Sequence, residues 1–398
     1  MNILQINATD DTVGGASRIA CDLYSRLKRE NGSKMIVGKK TQDNNDVRQI
    51  PKTFLQKALS YGLANDVSYF KTDFILDTNE FKEADVIQCH NLNGWYFDLG
   101  TLQKMSQAKP VVWTLHDMWA ITPHCAHAYD GPQNDGFYAC RSMKDYPSMP
   151  WNNDKRLCDI KRKAYDDSDF TVVVPSKWLF DKGKKSVLGT KDIRLIYNGI
   201  DTSIFKRADR AQARAELGLP MDKKLILFAA NGGLENEFKG GNHVRELIEM
   251  NKDDASVAFI CLGEEVDGET GNMITRKKTS SKEKMAQYLN ACDMLIFPSA
   301  AENFPLITLE AMACGMPIVS FDVGGVSEAI RHLQNGFVTK EASTKELQEG
   351  IEYILSLDQE KAKAMSDRSV RDVQERFSID RMAKEYVLLY NEVISKKK

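Results

Sequence analysis

The sequence predicts an α/β protein made of two doubly wound units. The chain has 398 residues, more than one ordinary hydrophobic core requires. Short, continuously apolar runs alternate with segments of helical spacing, which is typical of parallel strands covered on both faces. This alternation begins at Asn2 and starts again at Leu225, so we expect two halves of similar architecture.

The first half opens with a strand at Asn2–Asn7, a glycine-bearing loop at Ala8–Gly15 and a helix at Ala16–Glu30. Ile19, Leu23 and Leu27 fall on one face of that helix. Further strands are predicted at Val86–His90, Val111–His116, Phe170–Pro175 and Ile193–Asn198. In such sheets ligands bind beyond the carboxyl ends of the strands, so the loops that follow strands are the places to search for chemistry.

The second half repeats this order after a charged stretch at Lys206–Lys224. Its predicted elements are strands at Leu225–Ala230, Val257–Leu262, Met294–Pro298 and Ile318–Phe321, and helices at Asn242–Met250, Lys282–Cys292 and Leu306–Cys314. We therefore expect an N-terminal domain over residues 1–198 and a C-terminal domain over 199–377. The last fifty residues have a helical pattern, and we expect the final helix, about 378–398, to pack back on the N-terminal domain.

The charge distribution excludes a generally basic nucleic-acid-binding protein. The net charge is −2, with +3 on residues 1–198 and −5 on the remainder. Basic residues are dense over 155–185. Two interpretations stay open: the solvated face of two helices, or a surface for anionic phospholipid or pyrophosphate.

The chain begins without a basic leader and contains no apolar run of the roughly 20 residues that span a bilayer. We expect a cytoplasmic protein, either free or peripheral on the inner face of the cytoplasmic membrane. Its eight cysteines lack the spacing of a disulfide framework and are expected to be free thiols. His124, Cys125, His127 and Cys140 allow a zinc alternative, but without a C-x2-C pair they are interpreted as a loop cluster and no metal is assigned.

The most specific segment is Ser299–Val319. Glu302 lies in the loop after a strand, Pro305 stands where a helix starts, and Glu310 lies inside that helix. The free N–H groups of a helix's first turn can hold a diphosphate. A carboxylate at Glu310 can accept from a ribose diol, and one at Glu302 can reach sugar hydroxyls.

Glu302 and Glu310, together with Phe304, Gly315 and Pro317, resemble the E-x7-E motif of the retaining glycosyltransferases of group 1 (family 4). These enzymes have the GT-B fold, in which two Rossmann-like domains face each other across a cleft. Other matching segments, in order, are Gly14–Ala16, Trp113–Trp119 with His124-Cys125, Pro175-Ser176 with Trp178, and Asn198–Asp201 with Phe205. Trp113–Trp119 is similar to the branch that builds bacterial exopolysaccharide, capsule and lipopolysaccharide.

The resemblance implies a set of site residues. The catalytic candidates are His116, Asp117 and Glu302, and the donor-binding candidates are Gly15, Arg18, Asn231, Lys239, Asn303, Phe304, Pro305, Leu306 and Glu310. His116 aligns with a histidine that contacts the transferred sugar; a structural histidine is the alternative. Gly15 lets backbone approach the donor phosphate or is a plain turn glycine, and Arg18 either faces the ligand or is solvated. Asn231 stands where the family has an arginine that binds the donor diphosphate.

The expected function is transfer of a sugar from a UDP- or GDP-linked donor to a glycan or lipid-linked acceptor, with retention of anomeric configuration. The resemblance implies no tightly bound cofactor, no required divalent metal and no nucleic-acid partner, with an anionic membrane surface as a candidate partner. Two alternatives stay open: a GT-B nucleotide-sugar epimerase, and an inactive nucleotide-sugar-binding subunit.

Overall fold

The computed structural model describes residues 1–10, 14–128, 131–133 and 135–397. Contacts divide the chain into two compact units: the first contains Met1–Tyr197 and Met382–Lys398, and the second contains Asn198–Arg381. Each unit has its own seven-stranded sheet among the described residues. The α/β fold class with two Rossmann-like units is confirmed.

The first sheet is entirely parallel, with strand order β3-β2-β1-β4-β5-β6-β7. Its strands are β1 (Asn2–Thr9), β2 (Gly32–Lys39), β3 (Val47–Gln49), β4 (Val86–Cys89), β5 (Val111–Thr114), β6 (Thr171–Val174) and β7 (Ile193–Leu195). The helices of this unit are α1 (Gly15–Lys28), α2 (Phe54–Gly62), α3 (Asn79–Glu83), α4 (Leu99–Ala108), α5 (Asp154–Asp166) and α6 (Lys177–Lys184). Short 3-10 turns lie at Thr72–Asp77 and Trp119–Ile121.

The second sheet has the order β10-β11-β9-β8-β12-β13-β14, and only the β10–β11 pair is antiparallel among its described strands. Its strands are β8 (Lys224–Ala229), β9 (Val257–Glu264), β10 (Gly268–Thr270), β11 (Met273–Lys277), β12 (Met294–Phe297), β13 (Ile318–Ser320) and β14 (Phe337–Val338). The helices are α7 (Arg210–Leu217), α8 (Gly241–Met250), α9 (Lys282–Ala291), α10 (Leu306–Ala313), α11 (Val326–Ala329), α12 (Thr344–Ser356) and α13 (Gln359–Arg376), with 3-10 turns at Gly233–Glu235 and Glu237–Lys239.

The last helix, α14 (Ile379–Lys397), packs on the first sheet through two buried tyrosines. The Tyr386 hydroxyl lies 2.8 Å from the hydroxyl of Thr114. The Tyr390 hydroxyl donates to the Gln88 amide oxygen at 2.9 Å. A buried tyrosine needs a partner for its hydroxyl, so these contacts fix how the helix lies on β4 and β5.

Each unit has a large apolar core of its own. In the first unit it includes Leu4, Ile87 and Trp113, and in the second Ile226, Phe259 and Ile296, all at most 1% exposed. These strands are buried on both faces, which explains their unbroken apolar runs.

The sequence pattern does not reveal β2, β3, β10, β11 or β14. The apolar run of β2 is only Met35–Val37, with polar residues or glycine on both sides, whereas β10 and β11 form a half-exposed hairpin with polar side chains. A polar edge strand carries no continuous apolar signal, so sequence periodicity cannot identify it.

Candidate active site

The carboxyl ends of β8, β12 and β13 meet at one edge of the second sheet, because these strands are parallel neighbours. Three loops leave this edge: 230–240 after β8, 298–305 after β12 and 321–325 after β13. The donor-side candidates from Asn231 to Leu306 all lie in these loops or at the start of α10.

Lys239 and Glu302 form an ion pair at this edge. The Lys239 ammonium lies 2.6 Å from Glu302 Oε1, with side chains 34% and 13% exposed. The Ser299 hydroxyl donates to the same oxygen at 2.8 Å. Two of the predicted residues, from separate loops, are therefore in direct contact, and Ser299 is a third group that the sequence interpretation missed.

Glycine allows the Lys239 loop to approach the end of β12. Lys239 is the last residue of a 3-10 turn, and the Lys239 backbone N–H donates to Asn236 Oδ1 at 3.1 Å. Gly240 follows with φ of 84°, and a Cβ there would lie 2.2 Å from the Pro298 carbonyl oxygen. No side chain fits that space, so a glycine after Lys239 is what allows this loop to lie so close to the end of β12.

A second glycine supports the loop that carries Glu302. Gly324 has φ of 58°, and a Cβ there would lie 1.7 Å from the Glu302 carbonyl oxygen. The next N–H, of Gly325, donates to the Asn303 carbonyl at 2.8 Å. The loop after β13 thus holds the Glu302–Asn303 backbone in place, a role that no sequence motif indicated.

The segment Asn303–Leu306 leads into α10. Asn303 and Phe304 are each 5% exposed, and the Phe304 carbonyl accepts from Asn198 Nδ2 at 3.2 Å. Pro305 is the residue before the first helical turn, and neither a capping side chain nor an acidic residue occupies that turn among the described contacts. The partial positive charge of such a terminus favours an anion.

Glu310 lies one turn into α10 and is 1% exposed, between Leu309 and Ala311, which are both fully buried. It is therefore a carboxylate inside an apolar helix rather than a solvated surface charge. A buried carboxylate is stable only with polar partners or in its protonated form.

Asn231 is exposed and begins a loop of unusual backbone. Gly232 and Gly233 both adopt positive φ, and the Asn231 carbonyl accepts from Asn236 Nδ2 at 2.8 Å. From α8, Arg245 donates to the Leu234 carbonyl in this same loop. Arg245 is a cation near the Asn231 loop that the sequence interpretation did not name.

At the carboxyl edge of the first sheet, two adjacent strands each lead to a histidine. His116 Nε2 lies 3.1 Å from His90 Nδ1, and their rings stack with centroids 5.3 Å apart. His90 Nε2 lies 3.1 Å from Gln5 Oε1 on β1. With the Gln5 oxygen facing it, His90 donates from Nε2 and accepts at Nδ1, so His116 carries its proton on Nε2.

Both imidazoles are uncharged near neutral pH. Burial lowers the pKa of His116 to about 4. Burial and the neighbouring His116 hold the pKa of His90 well below its usual range. The sequence contained a signal for this pair, because both predicted strands ended in histidine and parallel neighbours end at the same edge.

Asp117 follows His116 and caps the next turn. Its Oδ1 accepts from the Trp119 N–H at 2.8 Å and its Oδ2 accepts from Asn93 Nδ2 at 3.4 Å. Burial raises the pKa of Asp117 to about 6, and these hydrogen bonds work in the opposite direction. The carboxyl group therefore changes charge just below neutral pH.

Lys161 donates hydrogen bonds to the turn that follows Asp117. It is fully buried on α5, and its ammonium donates to the carbonyls of Trp119 at 2.5 Å and Thr122 at 2.9 Å. The ammonium also lies 3.6 Å from the centroid of the Trp119 ring, and the Trp119 indole donates to buried Asp66 at 3.0 Å. Burial lowers the pKa of Lys161 to about 8, although the Asp66 charge raises it.

The basic run 155–185 is therefore not a continuous solvated surface, because Lys161 points into the first unit. The sequence contained the signal: Lys161 falls four residues after Leu157 and four before Tyr165, on the apolar face of α5.

Gly15 and Arg18 lie beyond the end of β1. Gly15 is the first residue of α1, preceded by Gly14 with φ of 91°. Residues 11–13 of the predicted Ala8–Gly15 loop lie outside the described residues. Arg18 is partly buried, with its Nε 4.0 Å from Asp22 Oδ2 one turn further on. The first turn of α1 has no acidic residue, as suits an anion-facing helix end.

The cysteine prediction is wrong for one pair. Cys125 and Cys140 form a disulfide with Cα atoms 5.8 Å apart, and the other six cysteines are free. Their spacing of 15 residues does not indicate the bond, because a disulfide depends on how close the two Cα atoms lie in the fold. His124 Nδ1 lies 3.1 Å from Asp154. Because the two sulfur atoms are bonded to each other, neither is available as a zinc ligand in this structure. The described residues contain no group of three metal-ligating side chains.

Comparison with known proteins gives the family. Residues 13–204 match the model described as Glycosyltransferase Family 4, and residues 209–371 match that of Glycosyl transferases group 1. WcaC of Escherichia coli K12, assigned to colanic acid biosynthesis, is 25% identical over 98% of this chain and 99% of its own.

Solved structures share the fold over the whole length. The sucrose-phosphate synthase of Thermosynechococcus elongatus has a TM-score of 0.72 at 16% identity, covering 100% of both chains. The Anabaena protein Alr3699/HepE in complex with UDP has a TM-score of 0.70 at 17% identity, covering 98% of this chain and 100% of that one. The same Anabaena protein has also been solved with UDP-glucose. The GT-B fold class is confirmed, and the chain belongs to the group 1 (family 4) glycosyltransferases.

Proposed function

We propose that this glycosyltransferase moves a sugar from a nucleotide-sugar donor to a glycan or lipid-linked acceptor with retention of anomeric configuration. The observation that carries the proposal is the Lys239–Glu302 pair, 2.6 Å apart at the carboxyl edge of the second sheet beside the start of α10. A cation and a helix N-terminus suit a diphosphate, and a carboxylate suits sugar hydroxyls.

The donor nucleotide is assigned to the second unit. Glu310 would accept hydrogen bonds from the ribose diol, and the N–H groups at Leu306 and beyond would receive the diphosphate, with Asn303, Phe304 and Pro305 shaping the approach. The Lys239 ammonium would leave Glu302 for the phosphate, which frees Glu302 for the sugar. Asn231 cannot supply a cation, so the leaving group depends more heavily on Lys239.

The first unit is assigned the acceptor and the catalytic pair His116 and Asp117. With its proton on Nε2, the neutral His116 imidazole can accept a hydrogen bond at Nδ1 from a sugar or acceptor hydroxyl without placing a positive charge next to an oxocarbenium-like transition state. Gly15 and Arg18, at the start of α1, are proposed to approach the donor phosphates.

The reaction would proceed as follows: the bond between the anomeric carbon and the diphosphate oxygen breaks, and the acceptor hydroxyl attacks from the same face. The departing phosphate takes the hydroxyl proton, and Lys239 together with the α10 N-terminus stabilises the growing negative charge. These groups provide the charge stabilisation from the protein itself, so we propose no tightly bound cofactor and no required divalent metal.

Colanic acid is a bacterial exopolysaccharide, and the naming of WcaC for its synthesis supports a role in cell-surface polysaccharide synthesis for this chain. The UDP and UDP-glucose complexes of Alr3699/HepE support a uridine nucleotide donor, with a GDP-linked donor as the alternative. A lipid-linked acceptor would require access to a membrane surface. None of the described helices combines the length and apolar composition needed to cross one.

A thermal-shift comparison of nucleoside diphosphates and nucleotide-sugars tests the donor assignment. A ligand present at about 100 times its Kd stabilises the folded state by about 2.7 kcal/mol, which raises Tm by several degrees. We expect one nucleotide family, with and without its sugar, to raise Tm. No shift with any nucleotide would contradict the proposal.

A further inference from the structure

Helix α2 turns its apolar side outward. At about 100° per residue, Phe54, Leu55, Leu59 and Tyr61 fall within an arc of about 160°. These side chains are 86%, 76%, 46% and 58% exposed, respectively. Within the helix only Ser60, on the opposite side, is buried. A surface helix of a globular protein normally has the reverse arrangement, so this exposed face requires an explanation.

Trp151 extends the same surface at the end of the helix. Its indole N–H donates to the Gly62 carbonyl at 3.0 Å, and the side chain is 43% exposed. We call Phe54, Leu55, Leu59, Tyr61 and Trp151 the apolar patch.

The patch is held on a well-anchored helix. Thr53 and Gln56 form a reciprocal capping box, with N–H to side-chain distances of 3.2 and 2.9 Å. At the other end, Asn153 Nδ2 donates to the carbonyls of Leu63 and Ala64. Because polar contacts fix both ends, the large side chains are presented outward without contributing to the core.

The segment that carries α2 contains basic residues but no acidic ones. From Val47 to Asn65 the sequence contains Arg48, Lys52 and Lys57 and no Asp or Glu. Arg48 is ion-paired with Glu80 at 2.8 Å, so Lys52 and Lys57 supply the positive charge of this segment. The pKa of Lys52 is lowered, first by burial and then by the positive charges of Lys57 and Lys39, so these lysines lie near one another. Although the net charge of the chain is −2, positively charged lysines thus lie beside the exposed apolar side chains of α2.

We propose that the apolar patch is a docking surface for an anionic phospholipid bilayer. Phe54, Leu55 and Leu59 enter the boundary between headgroups and acyl chains, with α2 lying in the plane of the membrane. Tyr61 and Trp151 are aromatic side chains with polar ends, which suit headgroup depth. Lys52 and Lys57 contact the anionic headgroups. The absence of acidic residues along this segment favours such a surface over a basic or neutral protein partner.

Vesicle flotation of the full-length chain tests this surface. We expect the chain to float with vesicles of mixed phosphatidylglycerol and phosphatidylcholine and much less with phosphatidylcholine alone. The double variant Phe54→Gln, Leu55→Gln should lower the partition coefficient about tenfold or more, since two exposed apolar side chains leave the bilayer. The matched control is Met250→Gln, Val266→Gln, which removes two apolar side chains 55% and 67% exposed on the second unit.

Two further measurements localise the contact. Brominated phospholipid should quench part of the tryptophan fluorescence, and Trp151→Phe should remove most of that quenching. Lys57→Gln should weaken flotation at low salt and have little effect at high salt, because ions screen its attraction to headgroups.

Failure of the wild-type chain to float with anionic vesicles overturns the proposal, and so does equal flotation of the double variant and its control. A dimer that dissociates in the double variant, without vesicle binding, would assign the patch to a second copy of the chain and also overturn it. No sugar donor is present in these assays, so their outcome is independent of the proposed transfer reaction.

Discussion

His116 and Asp117 are consecutive residues whose pKa values move in opposite directions for the same reason. Burial disfavours any charged form, so it lowers the pKa of the imidazole from 6.5 to about 4 and raises that of the carboxyl from 3.8 to about 6. At neutral pH the pair therefore consists of a neutral imidazole and a carboxylate. Pairs of titratable groups whose pKa values are moved apart by their surroundings are common in active sites that use acid or base chemistry.

We predict that His116→Ala lowers the transfer rate about 100-fold or more and leaves nucleotide affinity unchanged, because the nucleotide is assigned to the second unit. Transfer rate, nucleotide Kd and Tm should be measured on the same preparation. His243→Ala, a partly exposed histidine of the second unit, is the control. A rate close to that of the wild type, or a loss of Tm that accounts for the lost rate, would remove His116 from catalysis.

The pH dependence of kcat/KM tests Asp117. Between about pH 4 and pH 6 the raised pKa of Asp117 makes stability fall as pH rises, whereas the lowered pKa of His116 makes it rise. These contributions oppose each other, so activity is the better readout. We expect kcat/KM to decline below about pH 6 as Asp117 is protonated.

Asp117→Asn should remove the decline of kcat/KM on the acid side of the pH profile. Asp254→Asn is the control, because its Oδ1 also accepts from a backbone N–H two residues ahead, at 2.9 Å to Ser256. A wild-type profile that is flat between about pH 5 and pH 7, or a decline that survives in Asp117→Asn, would contradict the assignment.

At the scale of elements, close backbone approaches position the site. Gly240 lies against Pro298, and Gly324 lies against Glu302. The loops after β8 and β13 are therefore both in close contact with the loop after β12. A side chain at either glycine would displace the Lys239–Glu302 pair without touching a ligand.

Gly324→Ala tests this arrangement against a matched control. Gly324 and Gly218 have nearly equal φ, 58° and 62°, but a Cβ at Gly218 meets nothing within 4 Å. Both substitutions carry the left-handed backbone cost of about 1–2 kcal/mol. Only Gly324→Ala adds the collision with Glu302, so we expect it to reduce kcat/KM about tenfold more than Gly218→Ala. Equal kinetics in the two variants would show that the loop does not depend on this contact.

Sequence periodicity predicted the elements that carry the site but not what supports them. The strands ending at His116 and Pro298 are continuously apolar, so their carboxyl ends and the adjoining candidates could be located. Lys161 and Gly324 were missed because their roles arise from contacts between segments distant in sequence. Ser299 lies only three residues before Glu302, but a contact within a loop leaves no periodic pattern in the sequence. Periodicity also gives an apolar stripe for α2 without showing whether that stripe faces the core or the solvent.

At the scale of the whole molecule, the two units carry different chemistry on the same architecture. The second unit presents a cation, a carboxylate and a helix N-terminus at its sheet edge, whereas the first presents neutral imidazoles and a carboxyl group. This division suits a phosphate-bearing donor on one unit and a hydroxyl-bearing acceptor on the other. In the proposed reaction, donor binding would replace the Glu302 carboxylate by a phosphate as the ionic partner of Lys239.

Release of nucleoside diphosphate from a nucleotide-sugar is the most direct test of the central claim. The wild-type chain should release it during transfer, and Lys239→Met should reduce kcat about 100- to 1000-fold, because the charge that Lys239 neutralises grows in the transition state. Lys345→Met, which removes an 86% exposed lysine, should retain full activity. Nucleotide binding without any release would instead indicate an inactive nucleotide-sugar-binding subunit. Conversion of the donor sugar without release would indicate an epimerase, and either result would contradict the account.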